Sequence, residues 1–207
     1  MTVTNIAVDL DGTLIDSLPV WGHCHEQVIR AHGGPWPPLQ VPYGSGSVAW
    51  TRAALPDCDA EAVAAEVHEL VAGWFEKHGF TAMPGAQDFL AVITAPCALV
   101  TAAPARVTDL FLDWLGRDVF SAVVCAGDVT DTKPAPDPYL LAASLLGAEP
   151  ADCTAVEDSP AGVISALAAG YGTVYGVGSH HPALAALGAT GIPGLDDLSR
   201  LLSGGRP

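Results

Sequence analysis

Hydrophobic positions along this chain follow two regimes, and the change between them sets the expected architecture. Ile6-Ala7-Val8 is a short apolar run suited to a buried strand, with Val3–Val8 as the whole element. From Leu18 to His32 the apolar residues Val20, Cys24, Val28 and Ile29 recur at helical spacing. Ser47–Leu55 predicts a short helix and Asp59–His78 a long amphipathic one. Asp59 is placed to cap the start of the long helix, and Gly79 stands just past its end. The stretch from Gly33 to Gly44 carries several prolines and glycines with Trp36 and Tyr43, which excludes a regular helix.

From Met83-Pro84-Gly85 onward, helices alternate with short apolar strands. Ala86–Ile93 leads to Ala98–Val100, and Ala105–Leu115 leads to Ala122–Val124. Asp137–Leu146 leads to Thr154–Val156, and Ala161–Ala169 leads to Thr173–Tyr175. This alternation predicts an α/β fold, a Rossmann-like parallel sheet with helices on both faces. The core domain is expected over residues 1–16 and 83–207, with an all-helical cap over 17–82 inserted after the first strand. Leu18-Pro19 and Met83-Pro84-Gly85 are the expected hinges. The last part of the chain gives no clear pattern. In such sheets ligands sit beyond the carboxyl ends of the strands, so residues just after each strand are the candidates for chemistry.

Composition narrows the class. The chain has 207 residues, half of them apolar, enough for a sizeable core. A formal charge of −15 argues against nucleic acid or an anionic membrane as partner. A secretory h-region and a run of about 18 apolar residues are both missing, so a cytoplasmic protein is expected. A monomer is compatible with the sequence, which does not set the oligomeric state. Cys24, Cys58, Cys97, Cys125 and Cys153 are scattered without a C-x-x-C and are expected as reduced thiols. The pair His180-His181, in a Gly-rich stretch, is expected in a loop rather than at a metal.

Candidate chemistry gathers after the strands. Asp9 and Asp11 end the first strand within Asp9-Leu10-Asp11-Gly12-Thr13-Leu14-Ile15-Asp16-Ser17. Two carboxylates so spaced can point to the same side while Leu10 enters the core. Gly12 permits a sharp turn, and the Thr13 hydroxyl can tie it. Such a pair suits a hard cation, or a nucleophile beside a general acid, although a bare Asp-x-Asp-Gly fits a solvated turn equally. Thr101-Ala102-Ala103 follows the second strand, where a hydroxyl and backbone N–H groups can meet an anion, or where Thr101 simply caps a helix. Lys133 sits in Asp131-Thr132-Lys133-Pro134-Ala135-Pro136, a proline-stiffened segment able to aim an ammonium. Glu157-Asp158 ends another strand within Val156-Glu157-Asp158-Ser159-Pro160-Ala161-Gly162-Val163, where helix capping is the ordinary explanation.

Taken in order, these four segments resemble the four motifs of the haloacid dehalogenase superfamily of phosphohydrolases. The Val-Glu-Asp-Ser-Pro-Ala-Gly-Val string and the helical insertion resemble the subgroup of β-phosphoglucomutase and the small sugar phosphatases. The resemblance implies a phosphatase acting on a small phosphate monoester, a sugar or polyol phosphate. Asp9 would be the nucleophile and Asp11 the general acid and base. Thr101, Ala102 and Lys133 would bind the phosphate, with a side-chain contact missing at Ala102. Mg²⁺ would be held by Asp9, the Asp11 main-chain carbonyl and Asp158, with Glu157 nearby or through water. Arg106 could add a donor or be an exposed helical arginine.

The mutase alternative shares all four motifs. β-Phosphoglucomutases carry a histidine four residues beyond the Ser or Thr ending the first motif, where this chain has Trp21, which could equally be packing in the cap. The same position after Asp16-Ser17-Leu18-Pro19 looks more like the sugar phosphatases, so phosphatase is expected over mutase. A receiver domain, which also pairs an acidic cluster with Mg²⁺, Ser/Thr and Lys on a parallel sheet, lacks the insertion and the Lys-Pro-x-Pro segment. A catalytically inert sugar-phosphate sensor stays open. A dehalogenase would not require the Asp11 and Glu157-Asp158 array.

Overall fold

The computed structural model describes residues 5–37, 41 and 44–203. Six parallel strands form one sheet: β1 (Asn5–Val8), β2 (Cys97–Val100), β3 (Ala122–Val124), β4 (Cys153–Glu157), β5 (Thr173–Val177) and β6 (Thr190–Ile192). Their order across the sheet is β3-β2-β1-β4-β5-β6. After β1 the chain builds outward to β2 and β3, then returns to lay β4 on the opposite side of β1. The switch point therefore lies between the carboxyl ends of β1 and β4, where Val8 pairs with Val156.

The four central strands are buried on both faces, while β3 and β6 at the edges are partly exposed, and the alternation sorts side chains into two cores. Ile6 and Val8 of β1, Leu99 of β2 and Val156 of β4 pack with Leu10, Phe89 and Phe111 on one face. Ala7, Ala98, Val100 and Ala155 meet Tyr139, Ala142, Val163 and Ala166 on the other. The helices of the first face include α4 (Ala86–Val92), α5 (Ala105–Leu115) and α9 (Leu195–Leu202), and those of the second α6 (Asp137–Leu145), α7 (Pro160–Ala168) and α8 (His181–Ala186). On the second face alanines meet across sheet and helices, so the elements approach closely.

Between β1 and α4 lie α1 (Leu18–Ala31), α2 (Ser47–Ala54) and α3 (Ala60–His78). Val20, Cys24 and Val28 of α1 pack against Val63, Val67, Val71 and Phe75 of α3. Ala103 and Val107, which begin the α5 region, complete this third core. Asp59 caps α3 by accepting from the Ala62 N–H at 3.1 Å. The two connections to the sheet run side by side: Asp16 N–H donates to Thr81 O and Met83 N–H to Leu14 O, each at 2.9 Å. Beyond them Phe75 stacks on Phe80 with ring centres 4.3 Å apart, and Phe80 meets Phe111 edge-on.

Several expectations shift. Val3 and Thr4 lie outside the described residues, as do residues 38–40, 42 and 43 of the Pro-rich stretch. Leu18 and Pro19 lie in the first turn of α1, and the two connections between the helices and the sheet pair with each other at residues 14–16 and 81–83. His181 opens α8 and donates from Nδ1 to Gly178 O, rather than sitting in a loop. β6, α8 and α9 were not expected at all. All five cysteines are free, and four of them are buried.

Phe75→Ala should lower stability by about 3–5 kcal/mol, because the vacated ring leaves a cavity under Phe80. Chemical denaturation of variant and wild type checks this, and a loss under about 1 kcal/mol would show that the helical layer barely depends on that stack.

Candidate active site

Asp9 and Asp11 lie directly beyond β1, and Asp158 directly beyond β4, so the switch point brings them together. Asp9 is held from the main chain by its N–H donating to Val156 O at 3.0 Å. Leu10, between the two aspartates, is fully buried in the core, as its position in the alternation requires. Gly12 has a φ of +88°, and a Cβ there would stand 2.2 Å from Asp158 Oδ2. Only glycine allows the turn after β1 to pass this close to the β4 loop. Thr13, instead of tying its own turn by its hydroxyl, donates across to Asp158 Oδ1 at 3.2 Å.

Lys133 is the cation of the site and is 3% exposed. Its ammonium donates to Asp9 Oδ1 at 2.6 Å, Glu157 Oε1 at 2.5 Å and Val100 O at 2.9 Å. An ammonium has three protons, so these contacts use all of them. Lys133 thus lies behind Asp9 rather than on the cavity wall. Glu157, fully buried, also accepts from the Tyr139 hydroxyl at 2.7 Å and from Ser159 Oγ at 3.0 Å. The Ser159 hydroxyl in turn caps α7 by accepting from the Gly162 N–H. A Cβ at Gly162 would fall 1.9 Å from the Glu157 carboxyl, so this carboxylate needs glycine beneath it.

The charges are unequal. Burial, then the charge of Glu157, pushes the Asp9 carboxyl well above its ordinary pKa, and Asp158 and Asp11 add to this while Lys133 pulls it down. Burial works against the Lys133 ammonium, but Asp9 and Glu157 more than offset it and hold its pKa above the usual value. Oxygens of Asp9, Glu157 and Asp158 lie within 4.8 Å of one another, a hard-donor set that could hold a metal ion. With Glu157 already bonded by Lys133, Tyr139 and Ser159, Asp9 and Asp158 are the better-disposed ligands.

Asp11 stands apart from that cluster. Its Oδ1 accepts from Ser17 Oγ and from Trp21 Nε1, each at 2.6 Å, and its Oδ2 from Thr101 Oγ1 at 3.2 Å. Burial raises the Asp11 pKa, and these three donors oppose the rise. The carboxyl is therefore drawn both ways between its protonated and ionised forms, which suits a group that must give and take a proton. Thr101 Oγ1 also accepts from the Ala103 N–H at 3.0 Å, so it is both a turn cap and a partner of Asp11. Ala102 and Ala103 form part of the wall of a cavity of about 160 Å³, together with Asp9, Asp11, Asp158 and Ser159. Arg106 is far from this chemistry: it is exposed and pairs with Glu69 and Glu76 on α3.

Trp21, Tyr139 and Gly162 have no role in the sequence-level site, yet each contacts or makes room for one of its carboxylates. Trp21 stands four residues after Ser17, one helical turn on, which places both donors on one side of α1. That spacing was a usable signal. Tyr139 carried none, since an aromatic early in a helix ordinarily packs in a core.

A family model described as haloacid dehalogenase-like hydrolase matches residues 3–170. Hexitol phosphatase A of Escherichia coli K12 is 38% identical over 167 residues, covering 78% of this chain and 77% of that protein. Fructose-1-phosphate phosphatase YqaB of the same organism is 30% identical over 178 residues, covering 80% and 92%. Among solved structures, a hydrolase from Pseudomonas syringae superposes with a TM-score of 0.80 at 22% identity, over 97% of this chain and 98% of that one. A β-phosphoglucomutase from Clostridium difficile gives 0.77 at 19% identity, over 96% and 93%, a likeness of fold. Matched by the family model over most of its length, with the strand-end carboxylates and the buried lysine at the switch point, this chain belongs to the haloacid dehalogenase-like hydrolases.

Proposed function

We propose that this protein is a Mg²⁺-dependent phosphatase that hydrolyses a small phosphate monoester, a sugar or polyol phosphate, through an aspartyl-phosphate intermediate. One observation carries this: Asp9 and Asp11 share a cavity wall, the first backed by a buried ammonium and the second held by three donors. The matched relatives are named as phosphatases of hexitol phosphates and of fructose 1-phosphate, which favours hydrolysis over the mutase alternative. Residues 17–82 would act as the cap over a core formed by 1–16 and 83–207. The free thiols and the lack of a membrane-spanning helix among the described residues accord with a cytoplasmic enzyme.

In this mechanism a carboxylate oxygen of Asp9 attacks phosphorus in line, and the bond to the leaving alkoxide breaks. Asp11 gives its proton to that alkoxide, so the alcohol leaves neutral. Asp11, now ionised, takes a proton from water as the water attacks the aspartyl phosphate, releasing inorganic phosphate and restoring Asp9. Lys133 fixes the Asp9 carboxylate and lessens its repulsion of an incoming phosphate dianion. Of the second-motif residues, the Ala102 N–H would be the donor for a phosphate oxygen, while Thr101 would meet the phosphate only by turning its hydroxyl from Asp11. Mg²⁺, held by Asp9, the Asp11 main-chain carbonyl and Asp158 with Glu157 nearby, would supply positive charge at the phosphoryl group.

The purified protein should release phosphate from p-nitrophenyl phosphate with Mg²⁺ and stop when EDTA is added. Asp9→Asn should abolish turnover with the fold intact by circular dichroism, and activity within about tenfold of wild type would remove Asp9 as nucleophile. Lys133→Ala should lower kcat by about 10²–10³, read by steady-state kinetics, because Asp9 loses its cation. Full activity there would leave Lys133 a structural role only. Trp21→Phe removes one charge-assisted donor to Asp11 and should cost about tenfold in kcat for an alkyl phosphate. The loss should be smaller for p-nitrophenyl phosphate, whose leaving group needs little protonation; equal losses would separate Trp21 from proton transfer.

A further inference from the structure

Trp21 and His25 of α1, Trp36 of the following loop and Trp50 of α2 give the cavity an aromatic wall. The His25 and Trp36 rings stack nearly parallel, 8° apart with centres at 5.9 Å, and Trp36 meets Trp50 at 5.6 Å. Of the three tryptophans, Trp21 is the one that reaches the chemistry, its Nε1–H donating to Asp11 Oδ1 at 2.6 Å. A hydrogen bond that short tolerates little rotation of its donor, so the direction of the indole matters as much as its presence.

The backbone of α1 sets where Trp21 stands but not how its ring is turned. The outer torsion of a tryptophan side chain is broad, and the cavity beside this ring gives it room to turn. Two imidazoles bracket it. His25, one turn further along α1, has its ring centre 5.9 Å from the indole at 36°. Its Nδ1 lies 2.8 Å from Trp21 O, and a carbonyl only accepts, so Nδ1–H donates and ties that ring to its own helix. His68 of α3 meets the indole edge to face, with centres 6.1 Å apart and planes at 88°, a favoured aromatic geometry. Val63, Val67 and Val71 pack α3 on Val20, Cys24 and Val28 of α1, so His68 is carried at a set height beside Trp21. Burial lowers the pKa of both imidazoles, that of His68 to about 4, and keeps them neutral. Neither Nε2 has a hydrogen-bond partner, a cost that an apolar side chain would avoid, so what each contributes here is its ring.

We propose that His68 is a positioning residue for proton transfer: packed edge-on against Trp21, it aims the indole N–H at Asp11. It is absent from the described residues lining the cavity, and it acts through Trp21 alone. His25 braces the same indole but also belongs to the wall, so His68 is the residue whose effect is separable from substrate contact. With the indole turned away, Asp11 keeps only Ser17 and Thr101 as side-chain donors, and proton delivery to the leaving alkoxide suffers. The proposal rests on the phosphatase function above.

The test is steady-state phosphate release from sorbitol 6-phosphate, glucose 6-phosphate and p-nitrophenyl phosphate. The proteins are wild type, His68→Leu, His68→Phe, Trp21→Phe and the double variant Trp21→Phe with His68→Leu. His68→Leu keeps bulk without a ring, and should lower kcat for the two alkyl esters by about three- to tenfold with KM little changed. Its loss on p-nitrophenyl phosphate, which needs little protonation of its leaving group, should be under about twofold. His68→Phe keeps an aromatic edge and should stay within about twofold of wild type on every ester. In the double variant the loss on the alkyl esters should equal that of Trp21→Phe alone, since no N–H remains for His68 to aim. If His68→Leu does not fold, His68→Met takes its place in both backgrounds. The inference is overturned by additive losses in the double variant, by equal losses on all three esters, by wild-type activity of His68→Leu, or by His68→Phe losing as much as His68→Leu. Turnover of p-nitrophenyl phosphate but of neither alkyl ester overturns it together with the sugar or polyol substrate. No phosphate release from any ester would instead overturn the phosphatase function, and the inference with it.

Discussion

Four carboxylates and one ammonium crowd the carboxyl ends of β1 and β4, and the rest of the site is arranged around that imbalance. Lys133 can neutralise one charge, and it is shared by Asp9 and Glu157. The deficit appears as the raised pKa of Asp9, whose first cause is burial and whose second is Glu157. A buried cluster with surplus negative charge is costly unless a proton or further positive charge offsets it, and the oxygens of Asp9, Glu157 and Asp158 lie close enough together to hold a metal ion. Glu157 illustrates the division of labour. It takes bonds from Lys133, Tyr139 and Ser159, and it rests in the space left by Gly162. Those contacts hold the lysine, and the lysine holds Asp9.

The fold makes such crowding possible by geometry. Parallel strands all present their carboxyl ends on one edge, and the reversal of direction between β1 and β4 opens a gap there. Short loops leave that edge with little freedom: Gly12 passes so close to Asp158 that a methyl group would not fit. The helices between β1 and α4 then close the gap from outside the sheet. They are tied to it by paired connections at residues 14–16 and 81–83, by the Phe75–Phe80–Phe111 stack and by Arg106 reaching two glutamates of α3.

Much of this was legible because local chemistry betrays it. Apolar strand runs, helix caps such as Asp59 and acidic pairs at strand ends declare themselves in a linear string, and α5 appears with the bounds its periodicity predicts. β6 did not, because Thr-Gly-Ile is three residues long and carries no alternation. Lys133 was legible as a functional cation but not as one saturated by three acceptors, since saturation depends on what three strands bring to it. The Trp21–His25–Trp36–Trp50 wall was illegible for a related reason. Its members come from α1, a loop and α2, and each alone is ordinary packing.

Trp21 belongs to two structures at once, the aromatic wall and the donor set of Asp11. That overlap bears on how such an enzyme can diversify. Trp36 and Trp50 meet His25 and each other along the cavity and are not among the donors to Asp11, so their replacement would change the cavity wall while that donor set stays in place. A change at Trp21 alters both together, and a new preference acquired there begins with a slower enzyme. Drift in specificity should accordingly run through the loop and α2, leaving the first two turns of α1 as the slowest-changing part of the helical layer.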